Sequence, residues 1–346
     1  MQKLLRQAKC SLLILSDKDS SHRWLLKGIV SSSLVIVPAR GKPTLLMSPL
    51  EHFSNSSWNI IAPKTRDEQK KAIDNLLKGV RVIAVSGSTC SLRMQKMLGN
   101  KRKLIDVEEK LLELRAIKSG EEIDSLRRAN ALTAQCFNQM MDVWQTFSHE
   151  RDVILFIKQF ALDHDAGLSF DSIVASGANA AVPHHATPTK INSGFCVLDF
   201  GFDVDGYKAD MTRTIYIGKP SSDELLLYEK ILEIQEAAVA MVKPGVKCAD
   251  LHNFVVKSLG ESDAKLFTHS LGHGVGIDIH ELPNVSSKSS AVLSAGMTIT
   301  IEPGIYDSKS RKKFGIRIED SLIVTKNGCE VLTKGAKKGL VVVTSK

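Results

Sequence analysis

Cysteine is sparse and unpatterned in this chain. The six residues, Cys10, Cys90, Cys136, Cys196, Cys248 and Cys329, include no CxxC pair. That spacing excludes the usual zinc–thiolate sites, offers no disulfide framework and points to a reducing cytoplasm. Long apolar runs are also missing. None reaches the roughly 20 residues that span a bilayer, so no membrane partner is expected. The opening MQKLLRQAKCSLLILSD is basic and then apolar, but it carries no small-residue cleavage pattern. It reads as structure, its apolar part as a first β-strand, and not as a signal peptide. No internal repeat or low-complexity segment is present. With 43% hydrophobic and 24% charged residues, the 346-residue chain has ordinary globular composition and room for two domains.

Acidic residues are scarce only in the first third. Up to Lys118 there are 22 Lys+Arg against 10 Asp+Glu, whereas the remainder has 24 against 28. Such asymmetry can mark nucleic-acid binding. Here the basic residues stand singly on strand ends and helices with few aromatics among them, so a solvated basic surface is expected and nucleic acid is not.

The first third alternates apolar runs with polar breaks. CSLLIL, SLVIVPA, TLLMS, WNIIAP and VRVIAVSG read as strands, and DEQKKAIDNLLKG and SLRMQKMLGN as helices. KRKLIDVEEKLLELRAIKSGEEI reads as charged helix. Within it, Ser119 and Glu122 fit a capping box that starts a new helix. The domain boundary is placed there, giving a small α/β domain at 1–118 and a second domain at 119–346. The second begins with helices through about Ala161. It continues with the strands SFDSIVASG, FCVLDFG and TRTIYIG, two helical stretches, and a return to strand in MTITIEPGIY, FGIRIEDSLIVT and CEVLT. The fold class is α+β, with an antiparallel sheet and flanking helices in the second domain.

The segment VLDFGFDVDGYKADMTRT raises the functional question, because Asp199 and Asp210 interrupt runs that otherwise read as buried strand. A two-residue turn at Asp205-Gly206 places Asp199 opposite Thr212 and Gly201 opposite Asp210. The two aspartates then share one face as diagonal neighbours, with Cα atoms about 7–8 Å apart. Paired carboxylates in a strand interior repel each other unless cations compensate. The plainer reading is a surface hairpin with solvated acids, and the apolar FCVLDF argues against it for Asp199. Further ligand types sit in similar settings. HSLGHGVGIDIHE carries His269, His273 and His280 among glycines, TITIEPGIY carries Glu302, and FGIRIED carries Glu319. A set of carboxylates and imidazole without thiolate suits a pair of divalent ions such as Mn²⁺ or Co²⁺ better than a structural zinc. Two such ions about 3.5–4 Å apart activate a shared water for hydrolysis.

The motifs DFG…ADMTRT, HSLGHGVG…IHE, IEPGIY and GIRIED, in this order and spacing, resemble the prolidase and aminopeptidase P family of pita-bread metallopeptidases. SFDSIVASGANAAVPHHATP is similar to the stretch of that family that ends in Pro-His. The resemblance runs from about Leu114 to Thr333. The first domain resembles the family's small creatinase/prolidase-like domain in pattern only. The resemblance implies two divalent metal ions, Mn²⁺ or Co²⁺ with Zn²⁺ or Fe²⁺ as alternatives, held by Asp199, Asp210, His273, Glu302 and Glu319. It implies that Asp210 and Glu319 bridge both ions and that Glu302 also handles protons of the attacking water. His184 and His280 would contact the scissile carbonyl, and His269 would line a pocket for proline. Arg317 would orient a ligand carboxylate from two residues away on one strand face.

The implied reaction is hydrolysis of an N-terminal Xaa-Pro bond in dipeptides or short peptides, by a cytoplasmic homodimer. Relatives often carry arginine after the His-Glu-x-Pro segment. Here that place holds Asn284, which favours peptides longer than two residues. Tyr207 and Tyr306 read as packing, His185 as surface, Asp203 and Asp205 as turn residues, and Asp278, Glu281 and Asp320 as solvated or supporting. Two alternatives share the fold: an exopeptidase of the methionine aminopeptidase type, and a non-catalytic binding scaffold using the basic first domain. Creatinase shares the architecture without metals, and the complete ligand set disfavours it.

Overall fold

The structure is a computed structural model and describes residues 1–99 and 101–344. The chain divides into two compact units, Met1–Arg115 and Ala116–Lys346.

In the first unit six strands form one mixed sheet in the order β4-β3-β2-β1-β5-β6. They are β1 (Leu12–Ser16), β2 (Leu34–Pro38), β3 (Thr44–Leu46), β4 (Asn59–Ile61), β5 (Val82–Val85) and β6 (Lys103–Asp106). Side chains alternate faces along a strand, and the core divides accordingly. Leu13, Leu15, Val35, Val37 and Leu45 pack on one face with residues of α1 (Gln2–Gln7), α2 (Ser20–Leu26) and α5 (Glu108–Ala116). Leu12, Ile14, Ile36 and Leu46 pack on the other with α3 (Arg66–Leu76) and α4 (Leu92–Leu98). Two expectations are corrected. The chain opens with a helix before its first strand, and KLID is strand rather than helix. The parallel register of β6 on β5, Val82 with Lys103 through Val85 with Asp106, overrides the helical preference of the surrounding Lys and Glu.

The second unit starts on the expected capping box. The Ser119 hydroxyl accepts from the Glu122 amide, and the Glu122 carboxylate accepts from the Ser119 amide. From it runs α6 (Gly120–Asp142), followed by α7 (Glu150–Asp163). The next strands are β7 (Gly167–Leu168), β8 (Ile173–Ser176), β9 (Gly194–Phe200), β10 (Phe202–Val204), β11 (Tyr207–Lys208) and β12 (Met211–Ile217). Asp205 and Gly206 both adopt positive φ, 53° and 85°, as a two-residue hairpin turn requires. The register is the expected one: Val204 faces Tyr207, Phe200 faces Met211, and Asp199 faces Thr212. The hairpin nevertheless splits at Gly201. Beyond it β10 and β11 join β7, while β9 and β12 stay with β8 and β20 (Val342–Val343). A Cβ at Gly201 would lie 1.9 Å from the Ala209 carbonyl oxygen, so only glycine allows this approach.

Cys196, Leu198 and Phe200 of β9 pack with Met211, Ile215 and Ile217 of β12 against α6 and α7. Residues of opposite parity, including Phe195 and Tyr216, face the core built with α8 (Ser222–Ala240) and α9 (Cys248–Ala264). The remaining strands are β13 (Gly272–Gly274), β14 (Glu281–Val285), β15 (Thr298–Ile301), β16 (Gly304–Asp307), β17 (Phe314–Arg317), β18 (Asp320–Val324) and β19 (Cys329–Val331). They form the five-stranded sheet β14-β13-β15-β18-β19 and the hairpin β16-β17.

Asp320, expected to be solvated or supporting, is fully buried. It accepts from Arg213 Nη2 at 2.9 Å, Thr333 Oγ1 at 2.6 Å and Gln235 Nε2 at 2.9 Å, and lies 3.0 Å from Lys338 Nζ. Burial alone would raise its pKa, but Arg213 and Lys338 outweigh that and pull it down to about 2. Removing one partner of such a pair strands a buried charge. Because Lys338 remains, Arg213→Met should cost about 3 kcal/mol, the low end for this mechanism. A urea titration reads the loss, and an unchanged midpoint would refute the role given to this ion pair.

Candidate active site

One cavity of about 430 Å³ in the second unit is lined by all nine residues singled out from sequence. Asp199 comes from β9 and Asp210 from the residue before β12. His273 is central in β13, Glu302 follows β15, Arg317 ends β17, and Glu319 precedes β18. His184, His269 and His280 stand on connecting segments, and Asn284 of β14 also lines the cavity. The backbone around His273 tolerates only glycine. A Cβ at Gly272 would lie 2.0 Å from the Thr300 carbonyl oxygen, and one at Gly274 would lie 2.1 Å from that of Leu282.

Ligand-type atoms of Asp210, His273 and Glu319 all lie within 4.8 Å of one another, and all three residues are buried. His273 Nε2 is 3.4 Å from Asp210 Oδ2 and 3.5 Å from Glu302 Oε1. Its Nδ1 is 3.0 Å from the Gly274 carbonyl, where an N–H donates. That leaves the Nε2 lone pair directed at the carboxylates. Burial, with a smaller effect of His280, lowers the His273 pKa to about 4, so the ring is neutral. The carboxyls move the opposite way. Burial and the charges of Glu319, Asp199 and Glu302 push Asp210 well above its ordinary range. Burial and Glu319 do the same to Glu302. Glu319 is pushed up to about 8 by burial and Asp199, against Arg317 and Thr212.

Arg317 is the one buried cation among them. Its Nη2 donates to Asp199 Oδ2 at 2.5 Å, and its Nε donates to Thr212 Oγ1 at 3.0 Å. Thr212 in turn donates to Glu319 Oε2 at 2.7 Å. Asp199 Oδ1 is buried with no hydrogen-bond partner among the described residues. An orphaned carboxylate oxygen beside an oxygen- and nitrogen-rich cluster without thiolate is what a hard divalent cation would complete. The donor set therefore fits a metal.

Two readings of single residues are corrected and a third is narrowed. Tyr306 is part of the site's support: Arg317 Nη1 donates to its hydroxyl at 2.6 Å, and His269 Nε2 lies 3.1 Å from it. Burial pushes its pKa up to about 12, so it remains a phenol and donates to His269. The His269 Nδ1–H is engaged by the Ser270 carbonyl at 2.7 Å. Burial lowers the His269 pKa to about 4. Of the two readings of Glu281, solvated or supporting, burial removes the first: its carboxylate is ion-paired with Lys118 at 3.0 Å. His185 is anchored 3.2 Å from Glu150, whereas neighbouring His184 is exposed. Tyr207, by contrast, packs against the Leu126, Ile323 and Leu332 cluster as expected, and its hydroxyl donates to Glu122 at 3.2 Å.

Glu150 carries no distinctive mark in the sequence. It is fully buried at the start of α7. Its carboxylate accepts from the Ser176 amide at 2.7 Å, the Ser176 hydroxyl at 2.8 Å, the Asn179 side chain at 3.0 Å and the Thr189 amide at 2.8 Å. This one side chain pins both ends of the segment that carries Pro183 and His184. The available signal was an acid at a helix start followed by an apolar run, which is also the mark of an ordinary first-turn charge.

Residues 124–326, which include all nine residues singled out from sequence, match metallopeptidase family M24. An Xaa-Pro dipeptidase of Pyrococcus furiosus is 34% identical over 302 residues, covering 84% of each chain. A solved Xaa-Pro dipeptidase from Bacillus anthracis superposes with a TM-score of 0.89 at 27% identity, covering 99% of this chain and 98% of that one. For an X-Pro aminopeptidase from Thermotoga maritima the TM-score is 0.86 at 27% identity, covering 97% and 98%. The protein is thus a metal-dependent hydrolase with the pita-bread fold. It belongs to metallopeptidase family M24.

Two outcomes follow from this geometry. Glu319 is held at about 8 against an ordinary value of 4.5, so the stability it contributes is complete below about 4.5 and lost as pH rises through about 8. Below about 6.5 the two neutral histidines, His269 and His273, contribute the opposite slope, so metal-free protein should lose thermal stability between about pH 6.5 and 8, and metal uptake at pH 7 should release protons. Calorimetry in buffers of different ionisation enthalpy measures that release, and uptake without it would contradict the protonated cluster. Separately, Glu150→Ala should speed amide exchange at Ser176 and Thr189 while the α8/α9 core stays protected. Uniform protection would remove the anchoring role.

Proposed function

We propose that the protein is a dinuclear-metal exopeptidase that hydrolyses the Xaa-Pro bond at the N-terminus of dipeptides or short peptides. The observation that carries this reading is the cavity in which four carboxylates, His273, His269 and Arg317 converge, the last two linked through the Tyr306 hydroxyl. Two divalent ions, Mn²⁺ or Co²⁺, held by Asp199, Asp210, His273, Glu302 and Glu319, would supply Lewis acidity and a water of lowered pKa.

The chain's own residues divide the remaining work. Glu302, whose carboxyl is displaced toward the protonated form, is the group to take and return a proton of the attacking water. Asp199 faces the free α-amine of the substrate, which limits cleavage to the first bond. His184 and His280 contact the scissile carbonyl from the exposed rim of the cavity. His269, neutral and fixed by Ser270 and Tyr306, offers an uncharged wall to the proline ring. Arg317 holds Asp199 in place and orients a ligand carboxylate. Proline lacks the amide N–H that backbone recognition uses, so a shaped pocket has to supply the selectivity.

Asn284 lines the cavity without a charge, which supports peptides longer than a dipeptide. We place the enzyme in the cytoplasm, in keeping with six free cysteines. We expect a homodimer, on the family resemblance alone, and a creatinase/prolidase-like role for the first domain.

The test is hydrolysis of Ala-Pro and Ala-Pro-Ala-Ala after metal removal and restoration with Mn²⁺ or Co²⁺. Metal-dependent cleavage of either should fall to background in Asp210→Asn. Cleavage of the dipeptide alone makes the enzyme a prolidase, and preference for the longer peptide makes it an aminopeptidase P. Cleavage of Met-Ala with neither proline peptide cut would overturn the reading.

A further inference from the structure

A second cavity, of about 500 Å³, adjoins the first in the same unit. Asp171, Ile173 and His184 line both. Its far wall is one face of α7, where Arg151, Ile154, Leu155 and Lys158 recur at helical spacing. Arg151 and Lys158 are exposed, and neither has an ion-pair partner among the described residues. Leu155 is 56% exposed, on the side of the helix away from the fully buried Val153 and Ile157. This face therefore offers apolar contact flanked by two free cations, and the one carboxylate among the groove's lining residues, Asp171, stands at the junction with the catalytic cavity.

We infer that this groove holds the residues that follow proline in the substrate, and that Arg151 and Lys158 select peptides with a carboxylate there. The inference rests on the Xaa-Pro reading and names a substrate class for it. Continuity and scale both favour the peptide as occupant. His184, assigned to the scissile carbonyl, is on the wall common to both cavities, so chain leaving the carbonyl toward its C-terminal side has a route past it. Arg151 and Lys158 are seven residues apart on one helix, or about 10 Å. Extended peptide advances about 3.3 Å per residue, so the groove spans about three residues. The charge that Asn284 does not provide beside proline is supplied here, farther along the chain. The carboxylate could be the peptide's own C-terminus or an acidic side chain, and either chemistry satisfies the same two cations.

The test compares kcat/KM for Ala-Pro, Ala-Pro-Ala-Glu, Ala-Pro-Ala-Gln and Ala-Pro-Ala-Lys, the tetrapeptides as free acids and as amides, on the metal-restored enzyme. Two exposed charge contacts should favour the Glu free acid over the Lys amide by about tenfold at low salt. The margin should shrink at high salt. The Arg151→Glu, Lys158→Glu double variant should invert the order while cleaving Ala-Pro at the original rate. Loss on amidation alone assigns the C-terminus, and loss from Glu to Gln assigns the side chain. An unchanged order in the double variant, with Ala-Pro still cleaved, overturns the groove and leaves the peptidase reading intact. If neither Ala-Pro nor any of the tetrapeptides is cleaved, the peptidase reading fails. Calorimetric binding of Ala-Pro-Ala-Glu to metal-free protein then decides the groove: weaker binding in the double variant supports it, and equal binding sinks it.

Discussion

Mutual repulsion among buried carboxylates is the constraint around which the second unit is arranged. Asp199, Asp210, Glu302 and Glu319 line one cavity with a single buried guanidinium among them. Like charges at such separations, away from water, force protonation or demand a cation. A flexible scaffold would let these side chains swing apart. Here each is delivered at or beside a different strand end, and close backbone approach at Gly201, Gly272 and Gly274 holds those strands together. Thr212 links Arg317 to Glu319 in hydrogen bonds of 3.0 and 2.7 Å, so the one cation is shared between two acids.

The other buried acids show what a merely structural carboxylate looks like in the same fold. Asp320 follows Glu319 in sequence but faces the opposite way, as strand alternation requires. It meets Arg213, Lys338, Thr333 and Gln235. Glu150 collects amide, hydroxyl and side-chain donors from a single segment. Both are saturated with donors. Asp199, by contrast, keeps one oxygen without a partner. The contrast separates acids that hold the fold together from acids placed to bind something.

Much of the site was legible because its signals are local and violate local rules. Acids inside apolar strand runs, three histidines among glycines, and a favoured Asp-Gly turn identified the hairpin register and the candidate residues. Tyr306 was less visible, since an aromatic at a strand end usually packs; only the approach of β16 to His269 and Arg317 turns its hydroxyl toward the site. His184 and His185 cannot be told apart by type, and the anchoring of His185 depends on Glu150, which lies 35 residues away in sequence. KLID has helix-forming neighbours, and its strand state depends on a non-local pairing with β5.

By itself, the sequence determined the α+β class, the register of the central hairpin and which side chains could form an oxygen-rich centre. These follow from period-two alternation, turn chemistry and residue type, all of which act over a few neighbouring residues. The tertiary structure alone decided which acids are saturated and which are left open, and which hydroxyl joins the arginine to the histidine. It also decided that a basic face of α7 adjoins the catalytic cavity. Those outcomes depend on strands and helices distant in sequence meeting in space, where burial sets the energy of every charge.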